Sequence, residues 1–379
     1  MDFSLTEEQR DVAGLARQIL EDQVTHDSLS RLERSGEPRF DQQLWQQMAK
    51  ADLLGVGLSA EVGGSGLGLL AQSLVLQEIG RTLAPLPYLA TIAVAAEALA
   101  HFGTPAQQDQ WLPGAINGTR ILTVALTEPA NRDASRPTTS ARPDGARWRL
   151  NGTKTLVPSA VIADAILVPA WIADRPQVFL VESTAPGLTV TAQATAAGDP
   201  TGQIVLDDVV VGSDALLDAG RDSEQDALAF LRDRATVAVC AHQLGVTERA
   251  LEATAKYTSE RVQFDRPIAT FQAVGHRAAD SYIDVEAIRL TLWQAIYAIE
   301  AGAPAAMAIH TAKWWAAEGG HRVAHAAVHL HGGMGIATEH SLHRYFAHAK
   351  QNEFLLGDAT QHALGIGSLL ATDSAESAT

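Results

Sequence analysis

Apolar positions in the first third of the chain recur every three to four residues, the period of a helix with one buried face. Thr6-Glu-Glu-Gln9 has the form of a capping box, in which a hydroxyl and an amide side chain satisfy each other's backbone N–H groups. It predicts a helix to about Val24. Further helices are predicted over 41–55, 67–81 and 89–102, and Leu112-Pro113 with Asn117-Gly118 closes the unit. Around Ile121 the period falls to two. Short β-branched segments at 121–126, 148–150, 165–168, 178–181, 188–192 and 204–211 alternate with Gly, Pro, Asn and Asp turns, which predicts a small antiparallel sheet. Asn151-Gly152 reads as a hairpin turn, since both residues accept positive φ. Helix returns at about Ser223, where Val237, Cys240, Leu244, Leu251 and Ala255 form an apolar stripe on a helix running to about Arg261. Three more segments follow, over 271–301, over 304–330, and over 340–370 with a break near 355; His331-Gly-Gly-Met-Gly335 ends the second of these.

The expected fold class is therefore α+β. An all-α N-terminal domain covers 1–120, a small antiparallel β-barrel-like middle domain covers 121–217, and a C-terminal four-helix-bundle domain covers 218–372. A polar, small-residue tail over 373–379 is expected to be disordered.

Composition narrows the function classes. The chain has 379 residues, 46% hydrophobic and 19% charged, which is globular and large enough for two or three domains. A formal net charge of -16 argues against nucleic acid and anionic membrane as partners. No apolar run reaches the about 18–20 residues a membrane span needs. The N-terminus has no basic and apolar leader, so no export signal is expected. Cys240 is the single cysteine and cannot form an internal disulfide, which suits a reducing, cytoplasmic compartment.

Candidate chemistry concentrates in Tyr257–Gln272, which reads as a helix end, a turn at Asp265-Arg-Pro267 and the start of another helix. Arg261 offers a planar, permanently charged five-donor fork, and Gln272 opens the next helix, so together they could hold an anionic cofactor. The same pattern also fits a plain helical hairpin with a surface arginine. Gly63-Gly64-Ser65-Gly66 suggests a phosphate loop, but it lacks the Gly-Lys-Ser/Thr ending and a preceding strand, and is read as a connector. His321, His325 and His329 recur every four residues on one helix face. No cysteine or convincing carboxylate joins them, so they are read as packing or interface histidines and no metal is assigned.

Three motifs then occur in order. Leu126-Thr-Glu-Pro129 resembles the Thr-Glu-Pro flavin segment of the acyl-CoA dehydrogenase family. Arg261-Val-Gln-Phe-Asp-Arg-Pro-Ile-Ala-Thr-Phe-Gln272 resembles its Arg-x-x-Phe-Gly-x-x-Ile-x-x-Phe-Gln, and His329-Leu-His-Gly-Gly333 its Gln-x-x-Gly-Gly. The resemblance covers nearly the whole chain. It implies FAD, and removal of a proton α to a thioester carbonyl by a carboxylate while the β-hydrogen leaves as hydride to the flavin. It implies that Thr127 faces the flavin, and that Arg261, Phe264, Gln272, His329, Gly332 and Gly333 hold the ADP half of a neighbouring subunit's FAD. Acyl-CoA or another acyl thioester is the implied substrate, and electron-transfer flavoprotein the implied electron acceptor.

The departures from the family pattern are grouped. After Thr-Glu-Pro the chain reads Ala-Asn-Arg-Asp133, one residue short and with Arg132 where small residues are usual. The usual Trp-x-Thr beside the flavin ring is Leu156-Val-Pro158. Leu356 stands at the usual position of the base and Ala235 at the alternative position, ten residues before Gly245; Asp358 and Glu353 are the nearby carboxylates. Asp265 replaces a glycine and His329 a glutamine in the half directed at a neighbour. Gly152–Pro158 and Ala312–His321 resemble segments of the partner subunit of paired-subunit bacterial acyl-CoA dehydrogenases acting on sterol side-chain thioesters. Three readings follow: a desaturase with an unusual base, assembled as a homodimer, a homotetramer or with a homologous partner; a non-catalytic subunit that completes the FAD site of a catalytic homologue; and a relative turned to other acyl or amine oxidation chemistry.

Overall fold

Local capping starts several of the early helices. The structure, a computed structural model, describes residues 4–217 and 226–376. In α1 (Glu7–Gln23) the Gln9 N–H donates to Thr6 Oγ1 and the Thr6 N–H to Gln9 Oε1, the expected capping box. Helix α2 (His26–Arg34) was not foreseen. Asp41 caps α3 (Gln42–Lys50) by accepting from the Leu44 N–H, and a second capping box, Thr104 with Gln107, starts α6 (Pro105–Ile116). Between α4 (Gly68–Thr82) and α5 (Glu97–Phe102), Leu89–Ala96 winds as a π-helix rather than an α-helix. The backbone N–H groups of Gly64, Ser65 and Gly66 donate to carbonyls of Ser59, Gly55 and Leu58, so the glycine cluster is a connector that spends its amides on its own chain.

The described residues pack as two units. One comprises 27–72, 85–217 and 226–235; the other 4–26, 73–84 and 236–376. The first unit holds a seven-stranded sheet: β1 (Leu122–Val124), β2 (Ser140–Asp144), β3 (Arg147–Val157), β4 (Ala165–Ile172), β5 (Arg175–Glu182), β6 (Leu188–Gln193) and β7 (Thr201–Gly212). Most pairs are antiparallel, but β1 and β2 both run parallel to β4. Leu150, Ile166, Val168, Phe179, Ile204 and Val209 form the centre of its core. Asn151-Gly152 is not a turn. The β2–β3 turn is at Gly145, and Gly152 lies mid-strand where the β3–β7 register shifts, a bulge at which a Cβ would meet Thr139 Oγ1 at 2.5 Å.

The second unit is helical. It contains most of α7 (Ala227–Glu260), then α8 (Gln272–Glu300), α9 (Ala306–His331), α10 (Leu342–Phe354) and α11 (Ala359–Glu376). The helix start expected near Ser223 lies outside the described residues. Residues 373–376, expected in a disordered tail, continue α11, and 377–379 lie outside the described residues. Cys240 is fully buried and free, as its apolar stripe implied. Among the described residues no helix is long and apolar enough to cross a membrane.

Helices α4 and α7 meet with no side chain between them: a Cβ on Gly245 would lie 1.9 Å from the Gln77 carbonyl oxygen, and one on Gly80 2.2 Å from that of His242. Because both obstacles are backbone, Gly245→Ala should cost about 3 kcal/mol or more. Gly367→Ala on α11, where a Cβ meets nothing within 4 Å, should instead be neutral or stabilise by up to about 1 kcal/mol. Urea unfolding of the two variants against the parent measures both effects.

Candidate functional site

The residues expected to face a neighbour come together at one edge of the helical unit. Past the end of α7 the chain forms β8 (Val262–Gln263) and β9 (Arg266–Pro267), joined by Phe264 and Asp265 at φ +53° and +62°. Two consecutive positive φ values define the hairpin turn that suits the strand twist, and aspartate tolerates that region where a glycine is usual. The Ile268 N–H donates to the Arg261 carbonyl at 2.8 Å and closes the loop. Phe271 then leads into α8, with Gln272 as its first residue. The Phe264 ring meets Phe271 edge-on at 6.1 Å, and the Arg266 guanidinium lies 4.2 Å over Phe271.

What this loop leaves open is informative. Phe264 is 86% exposed. Arg261 and Gln272 are exposed, and among the described residues neither side chain has a bonding partner. The first-turn amides of α8 beside them carry the positive end of a helix dipole, which favours an anion. At the end of α9, His329, Gly332 and Gly333 are also exposed. Gly332 has φ +62° and ψ −142°, a conformation essentially restricted to glycine. A Cβ on either glycine would meet no atom of this chain within 4 Å, so the bare backbone is left for something external. A guanidinium fork, a helix N-terminus and an exposed glycine turn together fit a diphosphate. Asp265, exposed on the same hairpin, is an opposing charge, as is exposed Glu260 beside Arg261.

Beneath this edge lies a contact the sequence reading missed. The His331 ring stacks on Tyr257 at 4.2 Å and 19°. Its Nδ1–H donates to the Ala327 carbonyl at 2.8 Å, and its buried Nε2 has no partner. Tyr257 lies four residues before Arg261, the only sequence signal that could have pointed to it.

In the sheet unit the flavin-facing elements are differently disposed. The Thr127 carbonyl accepts from the Thr155 N–H at 2.9 Å, holding the Thr-Glu-Pro segment against β3. The Glu128 carboxylate points inward and accepts from Lys154 Nζ at 2.7 Å, from both the N–H and the hydroxyl of Thr138 and of Thr139, and from Asn131 Nδ2. Burial alone would raise its pKa, but the Lys154 ammonium and these donors hold it well below the usual carboxylate range. Arg132 is exposed on the loop that follows. Leu156, where the resemblance implies an aromatic ring, is 45% exposed at φ +51°, its N–H bound to Gln193. Pro158 offers only its carbonyl, which accepts from the Thr123 hydroxyl. At these two positions the side chains offer neither an aromatic ring nor a hydroxyl.

No free base stands at the positions the resemblance singles out. Ala235 is buried and Leu356 has no titratable group. Asp358 caps α11: its Oδ1 accepts from the Gln361 N–H while Gln361 Oε1 accepts from the Asp358 N–H. Glu353 Oε2 is 2.6 Å from Lys350 Nζ and 3.2 Å from His321 Nδ1. His321 also lies 3.0 Å from Lys350 Nζ, so an ammonium fills the space a metal would need beside His321 and His325. Among the described residues no group of three or more His, Cys, Asp or Glu side chains could hold a metal.

The turn carrying Leu356 is nevertheless tightly held. Leu356 has φ +61° and Gly357 φ +104°. The buried Lys313 Nζ donates to the carbonyls of Gly357 at 2.7 Å and Glu353 at 3.2 Å, and burial pushes its pKa down to about 8. His362 Nε2–H donates to the Leu356 carbonyl at 3.1 Å, and its Nδ1 accepts from His310 Nδ1–H at 2.9 Å. Burial first, then Lys313 and His310, push the His362 pKa from 6.5 down to about 4. The imidazole is thus neutral in the folded chain at pH values where the unfolded chain is already protonated. Stability is complete above about pH 6.5 and falls as the pH drops to about 4, by up to about 3 kcal/mol from this group alone. The unfolding free energy of a His362→Asn variant, less stable at neutral pH, should fall less steeply than that of the parent across this window.

The acyl-CoA dehydrogenase N-terminal, middle and C-terminal domain families match residues 6–119, 123–209 and 227–367. Acyl-CoA dehydrogenase FadE27 of Mycobacterium tuberculosis is 43% identical over 98% of this chain and 99% of its own. Among solved structures, the ChsE4-ChsE5 complex of M. tuberculosis superposes with a TM-score of 0.93 at 43% identity, over 98% of this chain and 99% of the matched one. The steroid ACAD Tcur3481-Tcur3483 gives 0.92 at 45% identity, over 97% and 99%.

Proposed function

Since the chain belongs to the acyl-CoA dehydrogenase family, whose members bind FAD and oxidise CH–CH bonds, we propose that it is the non-catalytic subunit of a hetero-oligomeric acyl-CoA dehydrogenase and supplies the ADP-binding half of a catalytic homologue's FAD site. One observation carries this reading: the outward cradle is exposed and unpaired, while the carboxylates that could act as a base are tied up as a helix cap and an ion pair. Arg261 would hold the diphosphate, Gln272 and the α8 N-terminus its oxygens, and the Gly332-Gly333 backbone with His329 the adjoining nucleotide. Bound FAD would supply the hydride acceptor for α,β-desaturation of a saturated acyl thioester; this chain's residues would bind and orient it.

Two further features support a partner subunit. On α8, Ile283, Leu290 and Tyr297 recur every seven residues and are 62%, 49% and 46% exposed, an apolar stripe of the kind that other subunits cover. Both solved structures described above carry paired names, and one is called a steroid ACAD, which points to a sterol side-chain thioester as substrate of the assembled enzyme. Electron-transfer flavoprotein is the acceptor that suits the family.

The test is the FAD-to-chain ratio of the protein purified alone and co-expressed with its homologous partner. Colourless protein alone, and about half an FAD per chain in the complex, is the expected result. Arg261→Leu should then weaken FAD binding to the complex about 10- to 100-fold, the loss of a charge-assisted hydrogen bond. One FAD per chain in the isolated protein, bleached by an acyl-CoA, would overturn the reading in favour of a self-sufficient enzyme.

A further inference from the structure

The two pieces of the cradle come from the ends of different helices: Arg261 follows α7, and Gly332 follows α9. A diphosphate held by both needs them at one separation, to within about 0.5 Å in a well-organised site. Neither Arg261 nor the glycine turn is fixed by side-chain bonds of its own. Among the described residues, the ring contact between the two helix ends is the Tyr257–His331 stack.

We propose that Tyr257 and His331 are a positioning pair that sets the distance between the Arg261 guanidinium and the Gly332-Gly333 turn. The inference rests on the cofactor-half reading of this edge. Tyr257 is one helical turn before Arg261, and the Arg261 N–H donates to its carbonyl at 2.8 Å, so a shift of the ring carries Arg261 with it. His331 is bonded directly to Gly332. Three contacts fix its ring: Nδ1–H to the Ala327 carbonyl, the face of Tyr257, and the His340 ring, tilted by 55° at 5.2 Å. A Cβ on Gly335 would lie 3.3 Å from His331 Cβ, so the chain beyond the turn is packed against the same residue.

The unpaired Nε2 supports a positioning role. An imidazole nitrogen buried without a partner is unfavourable, and a purely apolar ring would fill the space without that penalty. What the imidazole adds is the Nδ1–H anchor, which fixes the plane presented to Tyr257. The Tyr257 hydroxyl makes no hydrogen bond in the chain, so its ring is the part in use.

The experiment uses the complex with the homologous partner, stripped of flavin and titrated with FAD by flavin fluorescence. Tyr257→Leu and His331→Ala should each weaken FAD binding about tenfold, the loss expected of one aromatic pair, with assembly of the two subunits unchanged. Tyr257→Phe should restore the parent affinity, because it keeps the ring. His331→Phe should weaken FAD binding, but less than His331→Ala, because it keeps the stack and loses the Nδ1–H anchor. Parent-like FAD affinity in Tyr257→Leu overturns the positioning role, and so does a loss that tracks loss of assembly and is not rescued by Tyr257→Phe. Arg261→Leu separates the two levels: if it leaves FAD binding unchanged, the cofactor-half reading itself fails, whereas if it alone weakens binding, only the positioning pair fails.

Discussion

The backbone-to-backbone crossing of α4 and α7 is the constraint from which the helical unit is built. With glycine at the contact, the two helices approach until carbonyls meet Cα atoms, and the side chains that flank the crossing have little freedom. Arg81, next to Gly80, then bonds Glu248 at 3.2 Å and Glu252 at 2.9 Å, one and two turns along α7. Glu248 in turn holds Arg289 of α8 at 2.6 Å, and the Tyr345 hydroxyl of α10 donates to the Arg81 carbonyl at 2.7 Å. Such buried ion pairs add little net stability, but breaking one strands its partner, so they specify how the helices are arranged. The outcome is a rigid α7, whose last turn carries Tyr257 and whose end presents Arg261.

Against that frame of satisfied groups, the outward cradle stands out by what it leaves unsatisfied. Glu128 shows the opposite case. Every acceptor site of its carboxylate is filled from within, so despite its place in the Thr-Glu-Pro motif it braces the sheet and has nothing left for a ligand. Arg261 and Gln272 are chemically the better hydrogen-bonding groups, and both are empty. Exposed polar side chains are common, but here they adjoin a glycine turn that the chain's own packing does not require and a phenylalanine almost wholly in solvent. These four features are the basis of the proposed cofactor-binding half.

Much of this was legible in the sequence because it is local. The capping box at Thr6, the change of period near Ile121 and the two long helices around Arg261 depend on residues a few positions apart. The errors arose where tertiary contacts overrule a local preference. Asn151-Gly152 looks like a turn, but Thr139 on the neighbouring strand needs the space, and the glycine serves a bulge while Asp144-Gly145, the same kind of signal, makes the turn. Asp358 looked like a stray carboxylate, although Asp358-Ala-Thr-Gln361 carries the spacing of a capping box and could have been read as one. For the Tyr257–His331 stack the sequence offered only the place of Tyr257 one turn before Arg261, and nothing that paired it with His331. The two residues are 74 positions apart in the numbering, and only the folded chain brings them together.

The turn at Leu356 is held against its own backbone strain. A leucine at positive φ is strained by about 1–3 kcal/mol and persists only where its surroundings dictate the backbone. Here a buried ammonium at the C-terminal carbonyls of α10 and a neutral imidazole on the Leu356 carbonyl dictate it, and each is itself costly to bury. Two buried titratable groups therefore maintain the backbone of the turn at which the resemblance places the base, while its side chain cannot take a proton. Decay of an unused site would be expected to relax that backbone first, since strain without function has nothing to offset it. A turn held this firmly is instead consistent with a scaffold still needed for its shape, and with chemistry that has moved to another chain.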